Sequence, residues 1–279
     1  MQKTPLFSVI IPTYHRDDQL AQCLDCLAPT VQTLPAEHYE VIVSDDGSTT
    51  TSQALIAERY PWVRWVAGPG RGPAANRNNG AAHAYGEWLV FTDDDCLPDA
   101  QWLAAYGEAI APDIQVYEGK TTCAVGLRSP FEHAPINLTG GCLWSCNLMI
   151  KTVLFRKIKG FDETFPYPHM EDIDLRERLN FLEIKTKFIP SAVVDHPPRK
   201  LPWGNQLGAS QESVLFYWSK HKKTSWAGVD LLNIIVRTRL RTILSFPISL
   251  NSVKAILSMI TEIIYVVIKL GAWKRKYSL

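Results

Sequence analysis

Four short apolar runs, at 6–11, 40–44, 62–66 and 87–92, are each closed by a cluster of polar or glycine residues, and the stretches between them have helical spacing. No other feature restricts the fold as much. Short apolar runs bounded by turn residues read as strands, and the amphipathic stretches at 17–27, 50–59 and 73–85 read as helices. Strands separated by helices imply an α/β fold with a mostly parallel sheet flanked by helices.

In such sheets ligands bind beyond the carboxyl ends of the strands. Pro12-Thr13-Tyr14, Ser44-Asp45-Asp46-Gly47-Ser48 and Gly68-Pro69-Gly70-Arg71-Gly72-Pro73 follow the first three strands, and Asp93-Asp94-Asp95 follows the fourth. The second cluster is also what a turn with a helix cap looks like, and the third what a turn before a Pro-initiated helix looks like. The aspartates are different, because three adjacent like charges repel and a turn gains nothing from them. Oxygen ligands at a strand end suit a hard divalent cation that holds a diphosphate. Alternation along an extended segment places Asp93 and Asp95 on one side and Asp94 on the other.

Two further clusters come later in the chain. Glu171-Asp172 opens a helix whose apolar stripe is Leu175, Leu179 and Leu182, and a helix N-terminus favours an ionised carboxylate. Asp195-His196 follows the apolar stretch 192–194, and a neutral imidazole there suits Mn2+ better than Mg2+.

The chain of 279 residues, 46% hydrophobic, is long enough for one core of about 200 residues plus an appendage. Its charge is divided: residues 1–198 hold 16 Lys and Arg against 25 Asp and Glu, and residues 199–279 hold 13 against 3. The expected division is accordingly a catalytic domain at 1–198 and a basic helical region at 199–279. Nucleic acid is a poor partner for so acidic a larger domain. The apolar run at 6–11 is too short for a secretory leader, so the six cysteines are expected to be reduced thiols facing the cytoplasm. Cys23-x-x-Cys26 and Cys142-x-x-x-Cys146 have zinc-like spacing, but Cys23 shares a helical pattern with Leu20, Leu24 and Leu27, where a cysteine acts as a small hydrophobe.

The motifs in register, Ser8-Val9-Ile10-Ile11-Pro12-Thr13-Tyr14-His15-Arg16, Val41-Ile42-Val43-Ser44-Asp45-Asp46-Gly47-Ser48, Gly72-Pro73-Ala74-Ala75-Asn76-Arg77-Asn78-Asn79-Gly80, Phe91-Thr92-Asp93-Asp94-Asp95, Gly160-Phe161-Asp162-Glu163 and Glu171-Asp172-Ile173-Asp174-Leu175, resemble those of family 2 glycosyltransferases. The resemblance runs from about residue 6 to residue 196 and implies a GT-A (Rossmann-like) fold, a nucleotide-diphosphate-sugar donor, a divalent metal (Mn2+ or Mg2+) and transfer of a sugar with inversion. It implies that Pro12, Tyr14, Arg16 and Asp45 meet the nucleoside, usually uridine and here UDP- or dTDP-linked, with Asp94 and Gly141 also on the donor side. Asp93 and Asp95, with His196, would hold the metal, and Asp172 would be the general base. Arg71 and Arg77 are candidates for the phosphates, Arg77 the better one because it lies within a matched motif. Trp144, beside Gly140-Gly141-Cys142, reads either as a sugar platform or as core. No Gln-x-x-Arg-Trp segment follows His196, which favours addition of single sugars over polymerisation.

Residues 210–221 resemble the post-catalytic segment of bacterial glycosyltransferases that act on polyprenyl-diphosphate-linked sugars, so a lipid-linked or cell-surface glycan is the expected acceptor. Val253, Ile256, Leu257, Ile260, Ile263, Ile264, Val267 and Leu270 recur at helical spacing. The apolar run 255–268 contains Glu262 and spans 14 residues, short of the ~20 that cross a bilayer. An amphipathic helix lying in the plane of an anionic membrane surface is expected, with Arg237, Arg239, Arg241 and the Trp273-Lys274-Arg275-Lys276-Tyr277 segment at the headgroups. The expected location is the inner face of the plasma membrane. A helical hairpin that forms a homodimer and a packed soluble helix pair are the alternatives. For function, the alternatives are a nucleotidyltransferase and a non-catalytic nucleotide-sugar-binding protein.

Overall fold

The structure is a computed structural model that describes residues 4–222 and 227–279. It has two compact units: one runs to Ala124 and takes in Pro135–Glu163 and Glu171–Pro197, and the other joins Val125–Ala134, Thr164–Met170 and Pro198–Leu279. The chain begins with β1 (Phe7–Thr13), α1 (Asp17–Leu27), β2 (Tyr39–Asp45), α2 (Gln53–Arg59), β3 (Val63–Ala67), α3 (Pro73–Ala82) and β4 (Trp88–Phe91). It continues through β5 (Leu97–Pro98), α4 (Trp102–Ala109), β6 (Val116–Thr122), β7 (Glu132–His133), β8 (Leu148–Lys151), α5 (Thr152–Lys157), α6 (Glu171–Phe181) and β9 (Thr186–Asp195). The last elements are β10 (Arg199–Lys200), α7 (Gly204–Ser210), α8 (Glu212–Lys220), α9 (Ala227–Leu244) and α10 (Leu250–Tyr277).

The first unit is built on an eight-stranded sheet in the order β3-β2-β1-β4-β8-β6-β9-β5. β3, β2, β1 and β4 are mutually parallel, as are β6 and β9, whereas β8 and β5 run antiparallel to their neighbours. The expected α/β architecture is therefore present, and β1 shows why. Val9 and Ile11 pack on one face with Leu20, Cys23 and Leu24 of α1, while Ile10 packs on the other with Ala74 and Ala81 of α3. A strand covered on both faces has no solvent side, so its sequence is continuously apolar.

Register brings the polar clusters to one edge. Thr13 pairs with Asp45 and Asp45 with Ala67, so three strands end level. β4 stops opposite Ile10, which lets the aspartates after it come alongside Thr13.

Some boundaries differ from the sequence reading. α2 starts at Gln53, not at 50, because the N–H and hydroxyl of Ser52 both turn to Asp45 Oδ2, at 2.6 and 2.7 Å. α3 ends at Ala82 and not at 85, because the N–H groups of His83 and Ala84 close tighter bonds to Gly80 and Ala81. Leu182 lies beyond α6 and is 48% exposed, so the stripe behind Asp172 consists of Leu175 and Leu179.

In the second unit β7 and β10 form an antiparallel pair and α7 to α10 form a helical cluster. Gly204 and Gly208 let α7 approach α10 closely; a Cβ on Gly204 would overlap the Ser258 carbonyl. Glu262 of α10 is fully buried and accepts from Arg239 at 2.8 and 3.1 Å and from Gln211 at 2.9 Å. The Glu262 charge is thus turned inward and compensated. This corrects one expectation about the tail: Arg239 is committed to Glu262 and not to headgroups, which leaves Arg237 and Arg241 exposed on α9. The helix is also longer than the 14-residue run suggests: α10 has 28 residues, with a stretch of mean hydropathy 1.9, long and apolar enough by composition to cross a membrane. Val253, Leu257, Ile260, Ile264 and Val267 of α10, each 43–54% exposed, recur on one side of the helix.

Candidate active site

The chain turns as it leaves β4, and the Cys96 N–H bonds back to the Asp93 carbonyl at 3.1 Å. The alternation expected of an extended 93–95 segment is therefore absent, and each aspartate has its own surroundings. Asp93 accepts from Arg77 at 2.6 Å. Asp94 accepts from Thr13 Oγ1 at 2.8 Å and from Arg16 at 3.1 Å. Asp95 shares Arg16, also at 3.1 Å, and lies 3.5 Å from His196 Nε2. Burial pushes the Asp94 carboxyl up to about 6; Asp95 and Asp93 add to this, and Arg16 and Thr13 oppose it.

His196 is fully buried, and its Nδ1 bonds the Pro197 carbonyl at 2.9 Å. With the proton on Nδ1, Nε2 presents its lone pair toward Asp95, the usual arrangement behind a metal-binding imidazole. Asp95, Cys96 and His196 bring ligand atoms within 4.8 Å of one another. Burial holds the Cys96 thiol well above its ordinary pKa, so it stays protonated and makes a poor ligand. The carboxylate and imidazole fit a divalent cation of the Mn2+ type. Asp93 is outside this group, facing Arg77.

Arg77, which the sequence places near the phosphates, is buried on α3 between carboxylates: Asp93 at 2.6 Å and Glu171 at 3.5 Å. Burial alone would lower its pKa, but Asp93, Asp172 and Glu171 raise it further than burial depresses it. Arg71, by contrast, is 66% exposed and pairs with Glu163 at 3.0 Å.

Asp172 stands at the start of α6. Its Oδ2 accepts from the Ser145 N–H at 3.2 Å and the Ser145 hydroxyl at 3.3 Å, while Oδ1 is buried with no hydrogen-bond partner. The sequence reading has the helix N-terminus keeping this group ionised. In the folded chain burial dominates and pushes the carboxyl up, with Arg77 and Ser145 opposing and Asp93 adding to the rise. A carboxylate with one oriented oxygen and one bare one is suited to accepting a proton.

The residues expected on the nucleoside side lie around the ends of β1 and β2. Pro12 is buried within β1, Tyr14 is 57% exposed, and Arg16 reaches Asp94 and Asp95. Asp45 accepts from the Gly47 N–H, the Ser52 N–H and hydroxyl, and Trp65 Nε1. Burial would raise its pKa, but these bonds hold the carboxyl below its ordinary value. Asp46 accepts from Gly70 and Gly72 at 2.9 and 3.1 Å, which shapes the glycine loop before α3. Gly141 has φ 90° and open space where a Cβ would lie, and its carbonyl accepts from Arg176 of α6 at 2.9 Å. Trp144 packs against the main core, and its Nε1 is buried without a partner.

Sequence reasoning did not single out Thr13 or Ser145. Thr13 sits inside a matched motif and was legible there; Ser145 carries no local signal, because its partner is distant in sequence.

Residues 8–113 match the family model described as glycosyl transferase family 2. The validoxylamine A glucosyltransferase of Streptomyces hygroscopicus subsp. limoneus is 30% identical over 219 residues, covering 63% of this chain and 48% of that protein. The poly(ribitol-phosphate) beta-glucosyltransferase of Bacillus spizizenii is 36% identical over 94 residues, covering 32% of this chain and 14% of that protein. The chain spans about half, or less, of the length of these curated relatives. Among solved structures, mannosyltransferase PcManGT from Pyrobaculum calidifontis, in complex with GDP-Man and Mn2+, has a TM-score of 0.63 at 18% identity, covering 96% of this chain and 87% of that one. S. aureus TarS 1-349 has a TM-score of 0.57 at 19% identity, covering 92% and 70%, and has also been solved with UDP and with UDP-GlcNAc. At such identities these structures speak for the fold, which is of the GT-A type.

Proposed function

We propose, from the match of residues 8–113 to the glycosyl transferase family 2 model, that this chain belongs to that family and transfers a single sugar, with inversion, from a nucleotide-diphosphate donor to a hydroxyl of a lipid-linked or cell-surface glycan. The observation that carries this reading is Asp172: Oδ2 is anchored by Ser145, Oδ1 is buried without a partner, and the Arg77 cation that raises no barrier to its ionisation also grips Asp93. Asp172 Oδ1 takes the proton of the acceptor hydroxyl as the hydroxyl oxygen attacks the anomeric carbon and the bond from that carbon to the nucleoside diphosphate breaks, in a single displacement. Ser145 fixes the carboxylate's orientation, and Arg77 stabilises its charged form before the proton arrives.

Asp95 and His196 are the residues that would hold a divalent cation, with Asp93 nearby, and a cation there supplies charge to offset the departing diphosphate. Tyr14, Arg16 and Asp45 are arranged for the nucleoside. A uridine or thymidine donor is the first choice, in line with the UDP complexes of TarS, and glucose is the first sugar, in line with the two curated relatives.

The exposed apolar side of α10, together with the excess of 13 basic over 3 acidic residues after 198, supports attachment to an anionic membrane surface on the cytoplasmic side.

The test is release of UDP or dTDP from a panel of nucleotide sugars with Mn2+, followed by NMR of the anomeric configuration of the product. Donor binding without turnover would convert the reading to a nucleotide-sugar-binding protein, and retention of configuration would exclude the single displacement.

A further inference from the structure

Glu118 lies on β6, in the interior of the sheet between β8 and β9, and is only 2% exposed. Its carboxylate accepts from the N–H groups of three consecutive residues, Gly141, Cys142 at 3.0 Å and Leu143 at 2.8 Å, and from Asn137 Nδ2 at 2.9 Å. All of these donors are neutral. Its two oxygens serve four donors, and no neutral amide offers two oxygens to so many donors.

The segment it grips would not keep its shape unaided. Gly140, Gly141 and Leu143 have φ of 86°, 90° and 52°, in the left-handed region. Asn137 Oδ1 takes the Gly140 N–H at 2.9 Å, and Arg176 of α6 takes the Gly141 carbonyl at 2.9 Å. Two residues beyond Leu143, Ser145 makes both bonds to Asp172 Oδ2. A continuous set of bonds therefore runs from Glu118 through the 140–143 turn to the oxygen of Asp172 that must be occupied if Oδ1 is to stay open.

We infer that Glu118 is a positioning residue for sugar transfer: it fixes the 140–143 turn, and through Ser145 it sets the orientation of the general base. This rests on the glycosyltransferase reading above. The same turn carries Gly141, with open space at its Cβ position. Glu118 acts through this segment and touches neither substrate.

The experiment compares wild type with Glu118→Gln and Glu118→Met, using UDP-glucose and Mn2+. Three quantities are measured: kcat and KM for UDP release, UDP affinity and stoichiometry by calorimetry, and the thermal midpoint. Glu118→Gln keeps one acceptor oxygen and should lose about tenfold in kcat, and Glu118→Met, with none, should lose more. In both, KM and the UDP dissociation constant should stay within about twofold of wild type, with one UDP bound per chain. Gly141→Ala strains the same turn from the other side without altering Glu118, and it should reproduce the kcat loss even if Glu118→Met does not fold. Unchanged kcat in Glu118→Gln overturns the inference, and so does a loss that appears equally in UDP affinity and stoichiometry, which is the signature of general unfolding. A wild type that releases no UDP or other nucleotide from any donor removes the glycosyltransferase reading itself, a result recognisable without any variant.

Discussion

Arg77 donates to Asp93 at 2.6 Å with only 6% of its side chain in contact with solvent. The same guanidinium lies 3.5 Å from Glu171, so one cation joins the turn after β4 to the first turn of α6. Carboxylates 79 residues apart in the chain, Asp93 and Asp172, are thereby brought to one place.

Removing that cation should be costly. Arg77→Met leaves Asp93, Glu171 and Asp172 buried together without compensation, and breaking a buried ion pair from one side typically costs about 3–5 kcal/mol. Arg77→Lys should fall between, because an ammonium cannot span two carboxylates as a planar fork does. Guanidinium chloride unfolding measures both, and a loss below about 1 kcal/mol in Arg77→Met would mean that Arg77 is not the electrostatic centre of the site.

Asp172→Asn should lower kcat by about 10²–10⁴ while leaving UDP binding intact. The amide can keep an oxygen toward Ser145, so the fold of the loop is retained, but no group remains to accept the hydroxyl proton. Near-normal transfer by this variant would assign the base elsewhere.

The strand–helix order and the edge on which the site forms were readable because both depend on local patterns: apolar runs, turn residues and helical spacing. The motif at 171–175 made Asp172 a candidate for the same reason, being contiguous in sequence. Glu118 and Ser145 were not readable, since nothing in Tyr117-Glu118-Gly119 or Trp144-Ser145-Cys146 announces a partner some 25 residues away. The facing of the three aspartates was misread because the alternation rule holds only while the chain stays extended, and it stops being so at Phe91. The pairing of Arg239 with Glu262 was not readable either, because sequence does not show which sides of two helices meet.

The contribution of Glu171 to stability should decline as pH rises through the slightly acidic range. The Glu171 carboxyl is pushed up to about 7, by burial first and Asp172 second, against the pull of Arg77. An unfolded glutamic acid titrates near ~4.3. Between those values the native chain holds a proton that the unfolded chain has released, so the native state is favoured at the acid end and loses that advantage toward neutrality. Asp94, pushed up to about 6, contributes with the same sign over a narrower range. His169, whose pKa burial lowers to about 4, acts with the opposite sign, so the quantity to follow is the urea midpoint of wild type minus that of Glu171→Gln, in which the His169 contribution cancels. Taken at about pH 5, 6 and 7.5 this difference should fall in that order, and a difference that climbs would contradict the assignment.

Mn2+ should raise the thermal midpoint and EDTA should abolish nucleotide release. A ligand bound only by the native state stabilises it by about 2.7 kcal/mol at a hundredfold excess over its dissociation constant. Asp95→Asn and His196→Ala should each remove the shift, because they delete the two groups that meet at 3.5 Å. Cys96→Ser should keep it, since burial holds the thiol protonated. Equal activity in EDTA and in Mn2+ would end the case for a metal.

The exposed side of α10 gives the last expected outcome. Ile260 and Ile264 lie one turn apart, 43% and 52% exposed, in the middle of the strip running from Val253 to Val267. Fully burying an isoleucine contributes roughly 1.5–3 kcal/mol, so the double change Ile260→Asn with Ile264→Asn should weaken binding to phosphatidylglycerol-containing vesicles more than tenfold. Surface changes of this kind shift stability by about 0.5 kcal/mol or less, so the thermal midpoint in the absence of vesicles should hold. Salt separates the two forces involved. At about 1 M the Debye length falls to ~3 Å, which removes the attraction of Arg237, Arg241 and the basic end of α10 but leaves apolar insertion in place. Residual high-salt binding should therefore be present in wild type and absent in the double variant. If vesicle binding is unchanged, the strip does not meet lipid; if instead the variant lowers the sedimenting mass without vesicles, its occupant is a second copy of the chain.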